Sequence, residues 1–438
     1  MGVKVAKFGG SSLADADQIR KMAEIINADE DRKFVVPSAP GKRSADDMKV
    51  TDLLYQLYNG LINMEDITKV FTLIYNRYVK IKKDLGVKTK IEDELEKVYE
   101  EAKCCDTPDY AASRGEYLNG MLIADYLGYD FIDAADVIFF DSAGNYDEKK
   151  TMSVLPGALK LHERAVIPGF YGSIPNGKIK TFSRGGSDIT GSIISCAADA
   201  DLYENWTDVS GFLMADPRVV ENPQKIDVIT YRELRELAYM GATVLHEDCI
   251  FPVLEAAIPI NVRNTNKPGD AGTMIVPEIE SSKMSNRNIT GVAGKKNFTV
   301  ITMEKSGMNA EIGFGRKVLG CLEKFGLSFE HMPSSIDTVS LVLADKGIRG
   351  CIEQLIDELH AVCNPDSVEV SSNMALIATV GRGMIRKIGV SAKLFTALAS
   401  KKINVRMIDQ GSSEINIIVG VENDDFEKAV RAIYNALV

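Results

Sequence analysis

The sequence predicts an α/β protein: an N-terminal open sheet sandwiched by helices, then a C-terminal tandem of two small α/β modules. Three observations predict it. Short apolar runs alternate with helical-period stretches through the first half, as a doubly wound sheet requires. Two glycine pairs, Gly9-Gly10 and Gly185-Gly186, each precede a predicted helix. Shifted by 76 residues, Phe298 to Leu343 lies on Met374 to Val419 without a gap, an internal repeat.

The first element is Val3 to Phe8, a buried strand running into Gly9-Gly10-Ser11-Ser12 and a helix carrying Ile19, Met22, Ile25 and Ile26 at helical spacing. Glycines without Cβ atoms let an anion approach the backbone, Ser11 or Ser12 can cap the helix, and Lys7 adds a mobile charge. Neither a Walker loop nor a dinucleotide fingerprint has this pattern. Alone, it reads equally as a tight turn beside a solvated lysine. Phe34 to Val36 is a second strand, ending in the turn-forming Pro37-Ser38-Ala39-Pro40-Gly41. Thr51 is the expected N-cap of the next helix, with Leu53, Leu54, Leu57 and Leu61 on one face. Residues 62–110 read as a charged, solvated helical insertion. Glu116 is expected in the first turn of a helix continuing to Tyr126, where a carboxylate commonly faces the dipole.

Val137 to Phe140 and Ala165 to Phe170 read as further buried strands. In Arg184-Gly185-Gly186-Ser187-Asp188 an arginine fork suited to a carboxylate stands before a glycine turn that exposes amides. A strand from Asp201 delivers Thr207-Asp208, and Asp216-Pro217-Arg218 follows, a set suited to ribose and phosphates.

Composition narrows the function. The 438 residues exceed the size of one core, so two or three domains are expected. The net charge of -11 argues against nucleic acid, and any anionic substrate must meet a local cluster of cations. No apolar run is long enough to span a membrane and no signal peptide is evident, so the expected compartment is the cytoplasm. Seven cysteines, with no CxxC pair, read as reduced core thiols, and four scattered histidines predict no structural metal.

Read together and in this order, Lys7-Phe8-Gly9-Gly10-Ser11-Ser12, Arg184 to Asp188, and Thr207-Asp208 with Asp216-Pro217-Arg218 resemble the aspartokinases of the amino acid kinase superfamily. The repeat resembles that family's paired ACT modules. The resemblance implies an amino-acid-kinase-like domain over residues 1–285 and ACT-like modules over 286–366 and 367–438, with strand exchange between modules possible. It implies transfer of the γ-phosphoryl group of ATP, with Mg2+ arriving on the nucleotide, to the side-chain carboxylate of L-aspartate. An ionised carboxylate is already a nucleophile, which accounts for the want of an evident general base.

By the same resemblance, Lys7 stabilises the transferring phosphoryl group, Gly9 and Gly10 offer it amides, and Asp188 organises the lysine or the metal region. Arg184 holds the substrate α-carboxylate and Glu116 its ammonium. Ser38, Thr51, Gly185, Gly186 and Ser187 complete that pocket, and Thr207, Asp208 and Arg218 contact the nucleotide. Two positions depart from the family: Leu213 and Met214 replace a Tyr-Thr pair, and Thr243 replaces a lysine, so one nucleotide cation is lost or supplied elsewhere. Met308, Phe314, Glu330, Ser334 and Ser335 fall on the effector site of the first ACT module. Lysine is the implied effector, with threonine as the alternative, and the modules imply a homodimer or a dimer of dimers. A glutamate or N-acetylglutamate kinase and a catalytically silent amino-acid sensor are the rival readings.

Overall fold

The computed structural model describes residues 2–183, 185–242, 251–278, 287–385 and 387–438. Strand β1 (Lys4–Phe8) leaves through a 3-10 turn at Gly10–Leu13 into helix α1 (Ala16–Asn27). The N-cap is Asp15, which accepts from the Gln18 amide, in place of the expected Ser11 or Ser12. Ser12 is instead buried, accepting from the Thr265 hydroxyl. Strand β2 (Arg32–Pro37) is followed by α2 (Val50–Ile62), whose N-cap is Lys49, so Thr51 lies inside the first turn instead of capping it.

Helices α3 (Thr68–Leu85) and α4 (Ile91–Ala102) form the expected helical stretch but are not merely solvated. Ile74, Tyr78, Ile81, Ile91, Leu95 and Val98 join Phe8, Leu54 and Trp206 in one core, because the charges between them occupy the opposite helical faces. Helix α5 (Asp109–Leu127) starts before Ser113, which corrects the position of Glu116: it lies about two turns inside the helix, beyond the reach of the terminal dipole.

Next come β3 (Asp130–Phe131), α6 (Ala134–Val137), α7 (Glu148–Leu159) and β4 (Ala165–Val166). Val137 to Phe140 is therefore not a strand of the main sheet: Val137 ends α6, and Phe139 and Phe140 make isolated bridges to Ser173 and Tyr146. The hairpin β5 (Tyr171–Ser173) and β6 (Ile179–Thr181) leads to α8 (Gly186–Ala197) and β7 (Leu202–Thr207). After β8 (Val228–Thr230), α9 (Tyr231–Tyr239) and α10 (Phe251–Glu255), strands β9 (Ile260–Asn264) and β10 (Thr273–Val276) complete the sheet. Among the described residues its order is β3-β4-β2-β1-β7-β9-β10-β8, parallel except between β9 and β10. With β2 on one side of β1 and β7 on the other, the carboxyl ends of these three strands frame a switch point, where open α/β sheets bind ligands.

The chain divides into two units, Met1–Phe212 with Lys225–Arg232 and Thr243–Ile279, and Leu213–Gln224 with Glu233–Ala242 and Glu280–Val438. The second unit contains β11 (Gly291–Glu304), α11 (Phe314–Lys324), β12 (Thr338–Ala344), α12 (Asp345–Ile348) and α13 (Ile352–Cys363). Then follow β13 (Ser367–Val380), α14 (Val390–Ser400), β14 (Met407–Asp409), β15 (Asn416–Glu422) and α15 (Phe426–Leu437). The sheet is antiparallel, in the order β12-β11-β13-β15-β14. Helices α11 and α14 start at equivalent repeat positions, after Gly313 and Gly389 with φ of 84° and 92°, a conformation costly for side chains with a Cβ. The long strands β11 and β13, one from each copy, pair with one another. Gly291 to Lys296 pairs with Ala375 to Val380, and Ser367 to Ser371 pairs with Val300 to Glu304.

Met308 and Phe314 are part of the first copy's apolar core. Glu330 and Ser335 hydrogen-bond through their amides to β12 residues, and Ser334 bridges Val339. Cysteines are not uniformly core thiols, since Cys321 and Cys363 are buried but Cys104 is exposed. Among the described residues no helix is long and apolar enough to cross a membrane.

Candidate active site

Strand alternation settles where Lys7 points. Phe8 stacks on Trp206 with ring centroids 5.9 Å apart, so Lys7 faces the opposite side of the sheet and meets α8. Its Nζ lies 2.5 Å from Asp188 Oδ1 in the first turn of α8, and both groups are largely buried. Asp188 also accepts from Asn205 Nδ2 at 2.8 Å, and Asn205 sits beside Lys7 in the β1–β7 register. Ammonium, carboxylate and amide thus hold one another at the switch point.

The two glycines beyond β1 have different duties. The Gly9 amide donates to the Trp206 carbonyl at 3.0 Å, extending the β1–β7 pairing, so it is not offered to an anion as expected. Gly10 meets the β2–α2 loop: the Gly41 amide donates to the Gly10 carbonyl at 2.8 Å, and a Cβ on Gly41 would come within 2.5 Å of the Gly10 carbonyl carbon. Glycine is required there because two backbones touch.

Glu116 reaches the same place from α5. It is buried, and its Oε2 has no partner among the described residues. Burial pushes its carboxyl up to about 8, against the Ala39 amide and the charges of Arg114 and Lys7. Three residues further along α5, Asn119 Nδ2 donates to the Ser38 carbonyl at 2.7 Å and fixes the loop after β2. Thr207 and Asp208 emerge from the end of β7.

These residues surround a cavity of about 650 Å³, lined by Lys7, Gly9, Gly10, Ser38, Thr51, Glu116, Asp188, Thr207 and Asp208. The cavity is also lined by Lys42, Arg43 and Lys49, which sequence reading did not single out. Not every expected residue is there. Gly186 lacks a side chain because a Cβ would strike Phe170 at 2.6 Å, and Ser187 packs against Gly169; neither these nor Gly185 are lining residues. Leu213 and Arg218 belong to the second unit, where the Arg218 guanidinium is engaged by Asp216 at 2.6 Å. Arg184 and Thr243 lie outside the described residues.

Asn205 and Asn119 were missed because a lone amide reads as neutral until its partner is known. Asn205 did carry a signal, since asparagine is disfavoured inside a strand.

The amino acid kinase family model matches residues 2–264, and an ACT domain model matches residues 377–437. Aspartokinase 3 of Bacillus subtilis is 39% identical, covering 99% of this chain and 98% of that protein. The crystal structure of Clostridium acetobutylicum aspartate kinase superposes with a TM-score of 0.90 at 56% identity, covering 100% of both chains. Escherichia coli aspartokinase III, solved with aspartate and ADP, gives a TM-score of 0.78 at 28% identity over 99% of each chain. Its complex with lysine and aspartate, at the same identity and coverage, gives 0.75. With the kinase sheet, the antiparallel ACT sheet and full-length relatives in agreement, the chain belongs to the aspartokinase family and is an aspartate kinase.

Proposed function

We propose that the cavity of the first unit transfers the γ-phosphoryl group of ATP to the side-chain carboxylate of L-aspartate, giving 4-phospho-L-aspartate and ADP. The observation that carries this is Glu116, a buried carboxyl with an unpartnered oxygen, in one cavity with the paired Lys7 and Asp188. A buried carboxyl with one oxygen unpartnered is suited to an ammonium group, and the lysine to phosphoryl charge. The E. coli relative's complex with aspartate and ADP supports the same pair of ligands.

The carboxylate of aspartate attacks the γ-phosphorus as the bond to the β,γ-bridging oxygen breaks, and ADP leaves with that oxygen. Because nucleophile and phosphate are both anions, the chain's part is to position them and neutralise charge. Lys7 meets the charge on the transferring group, while Asp188, held by Asn205, keeps the lysine aimed. Glu116 anchors the ammonium, Ser38 and Thr51 flank the amino acid, and Gly10, Thr207 and Asp208 face the nucleotide. Asp208 is suited to donate oxygen to Mg2+ carried in by ATP, which offsets triphosphate charge. Arg184 takes the α-carboxylate and Thr243 the nucleotide periphery.

Hydroxamate formation from aspartate, ATP, magnesium and hydroxylamine tests this, with glutamate and N-acetylglutamate as competing acceptors. Product with aspartate alone is expected; none with any acceptor would leave the sensor reading. The same assay reads Glu116. Its raised carboxyl is protonated below about 8, and an ammonium ion favours the ionised form, so substrate binding releases a proton. The KM for aspartate should therefore fall as pH rises from 6 towards 8 and then level off. In Glu116→Gln it should be high and flat, and an unchanged slope there would exclude this role.

The proposal extends to regulation. The reaction is the first step of lysine, threonine and methionine biosynthesis in the cytoplasm, residues 1–285 form the catalytic domain, and modules 286–366 and 367–438 bind lysine and join subunits as a homodimer or dimer of dimers. The lysine complex of the E. coli relative supports this. Effector binding that favours an inactive arrangement is a coupling between separate sites. Removing the Glu330 carboxylate should weaken lysine inhibition about tenfold or more, as loss of a charged hydrogen bond does. Glu330→Ala with wild-type lysine sensitivity, or wild type responding to threonine alone, rejects the lysine site.

A further inference from the structure

The cavity carries more positive charge than Lys7 supplies, and that excess sits on the loop between β2 and α2. Lys42, Arg43 and Lys49 all line the cavity. Arg43 is committed within the loop, its Nε and Nη2 lying 2.8 and 2.9 Å from the Asp47 carboxylate. Lys7 is matched by Asp188. Lys42 makes only a 3.4 Å contact with the Ala45 carbonyl, and among the described residues neither Lys42 nor Lys49 has an ion pair. Two cations are left available at a site where carboxylate and polyphosphate must meet.

The loop does not hang free, although its residues are mostly exposed and polar. Arg77, buried on α3, donates from Nη1 to the carbonyls of Ala14 at 3.0 Å and Gly41 at 3.2 Å. Its Nη2 reaches Asp47 Oδ2 at 2.5 Å and the Met48 carbonyl at 3.4 Å. One guanidinium thereby ties the turn after β1 to both ends of the cationic segment. Hydrogen bonds from Arg43, together with the charge of Arg77, hold the Asp47 carboxyl far below the usual carboxylate range, so the clamp persists at neutral pH. Ordering a polar loop costs conformational entropy, and here a buried arginine from a distant helix offsets that cost.

We propose that residues 41–49 form a second cationic arm of the phosphoryl-transfer site, in which Lys42 and Lys49 contact the polyphosphate and Arg77 is the positioning residue that holds them. This rests on the aspartate kinase reading of the same cavity. Lysines meet phosphate as point charges on flexible stems, so they can follow the nucleotide as it is bound and released.

The test uses the full-length protein and two readouts, calorimetric titration with ADP and magnesium, and steady-state kinetics. Lys42→Ala and Lys49→Ala should each weaken ADP binding about tenfold, the loss expected for one charged hydrogen bond, and the double variant more. The KM for aspartate at saturating ATP should stay within about threefold. Arg77→Lys keeps a charge but not the fork, and should weaken ADP binding in the same direction. In the Lys42→Ala/Lys49→Ala background it should cost little more, because residues acting through one another are not additive. Should Arg77→Lys fail to fold, Asp47→Asn loosens the clamp from its other end and carries the same expectation. Unchanged ADP affinity in the double lysine variant, or a loss confined to aspartate, overturns the arm. A wild type that binds ADP through these lysines yet phosphorylates no aspartate sinks the reaction instead and leaves the arm standing.

Discussion

Replacing Lys7 by alanine is expected to lower aspartate-dependent turnover by about 10²–10³-fold, the range for removing one preorganised electrostatic stabiliser. The ammonium sits 2.5 Å from Asp188 at the switch point of the sheet, already desolvated and already aimed. Little reorganisation then opposes its action as charge shifts during transfer. Because that charge is redistributed in the transition state, the loss should fall on kcat more than on either KM. The fold should survive, since Asp188 keeps Asn205 at 2.8 Å and some access to water. Circular dichroism separates a chemical effect from unfolding. A folded variant with kcat within threefold of wild type would remove Lys7 from the mechanism and, with it, the roles of Asp188 and Asn205.

The largest stability effect is expected one layer below the site. Glu204 on β7 is buried and accepts from Arg32 Nε at 2.6 Å and Nη2 at 3.0 Å, and from Trp206 Nε1 at 2.9 Å; Arg263 lies 3.4 Å away. Both guanidinium groups also lie over the Trp206 ring, at 5.5 and 4.4 Å. Ala6, in register with Glu204, is small enough for Arg32 to reach across β1. Glu204→Ala leaves two cations sharing a largely buried site without their carboxylate, a change that costs about 3–5 kcal/mol. Trp206 is the chain's single tryptophan, so its fluorescence follows urea unfolding of this region. A loss below about 1 kcal/mol would mean that water reaches the arginines and that the network is not structural. Because β7 carries Thr207 and Asp208, partial loss of activity should accompany the destabilisation.

Period and repeat were legible because a short window contains their cause, but the caps were not: α1 is capped by Asp15 and α2 by Lys49 instead of by Ser11, Ser12 or Thr51. The repeat placed α11 and α14 in matching positions because helical period and a left-handed glycine are properties of neighbouring residues. The strand before Gly9-Gly10 was legible for the same reason. The other errors arose where the cause lay elsewhere in the chain. Glu116 was placed in a first turn because α5 begins with residues that look like the end of the preceding stretch, and only packing extends it to Asp109. Gly9 reads as free for an anion, but its amide donates to the Trp206 carbonyl, almost two hundred residues away in sequence. Arg77 was passed over within a charged helix, although Ile74, Tyr78 and Ile81 frame it at the spacing of a buried face.

Residue order alone established the two architectures, an open α/β sheet followed by a repeated pair of modules, since periodicity, turn chemistry and self-similarity are local and survive without coordinates. Which groups meet was decided by the sheet: parallel strands drawn from residues 4–8, 32–37 and 202–207 bring Lys7, Ser38 and Asp208 to one edge, and α5 and α8 add Glu116 and Asp188. Side-chain chemistry acts over a few ångströms, whereas these segments are separated by tens to hundreds of residues. Only strand order and helix packing turn that distance along the chain into contact.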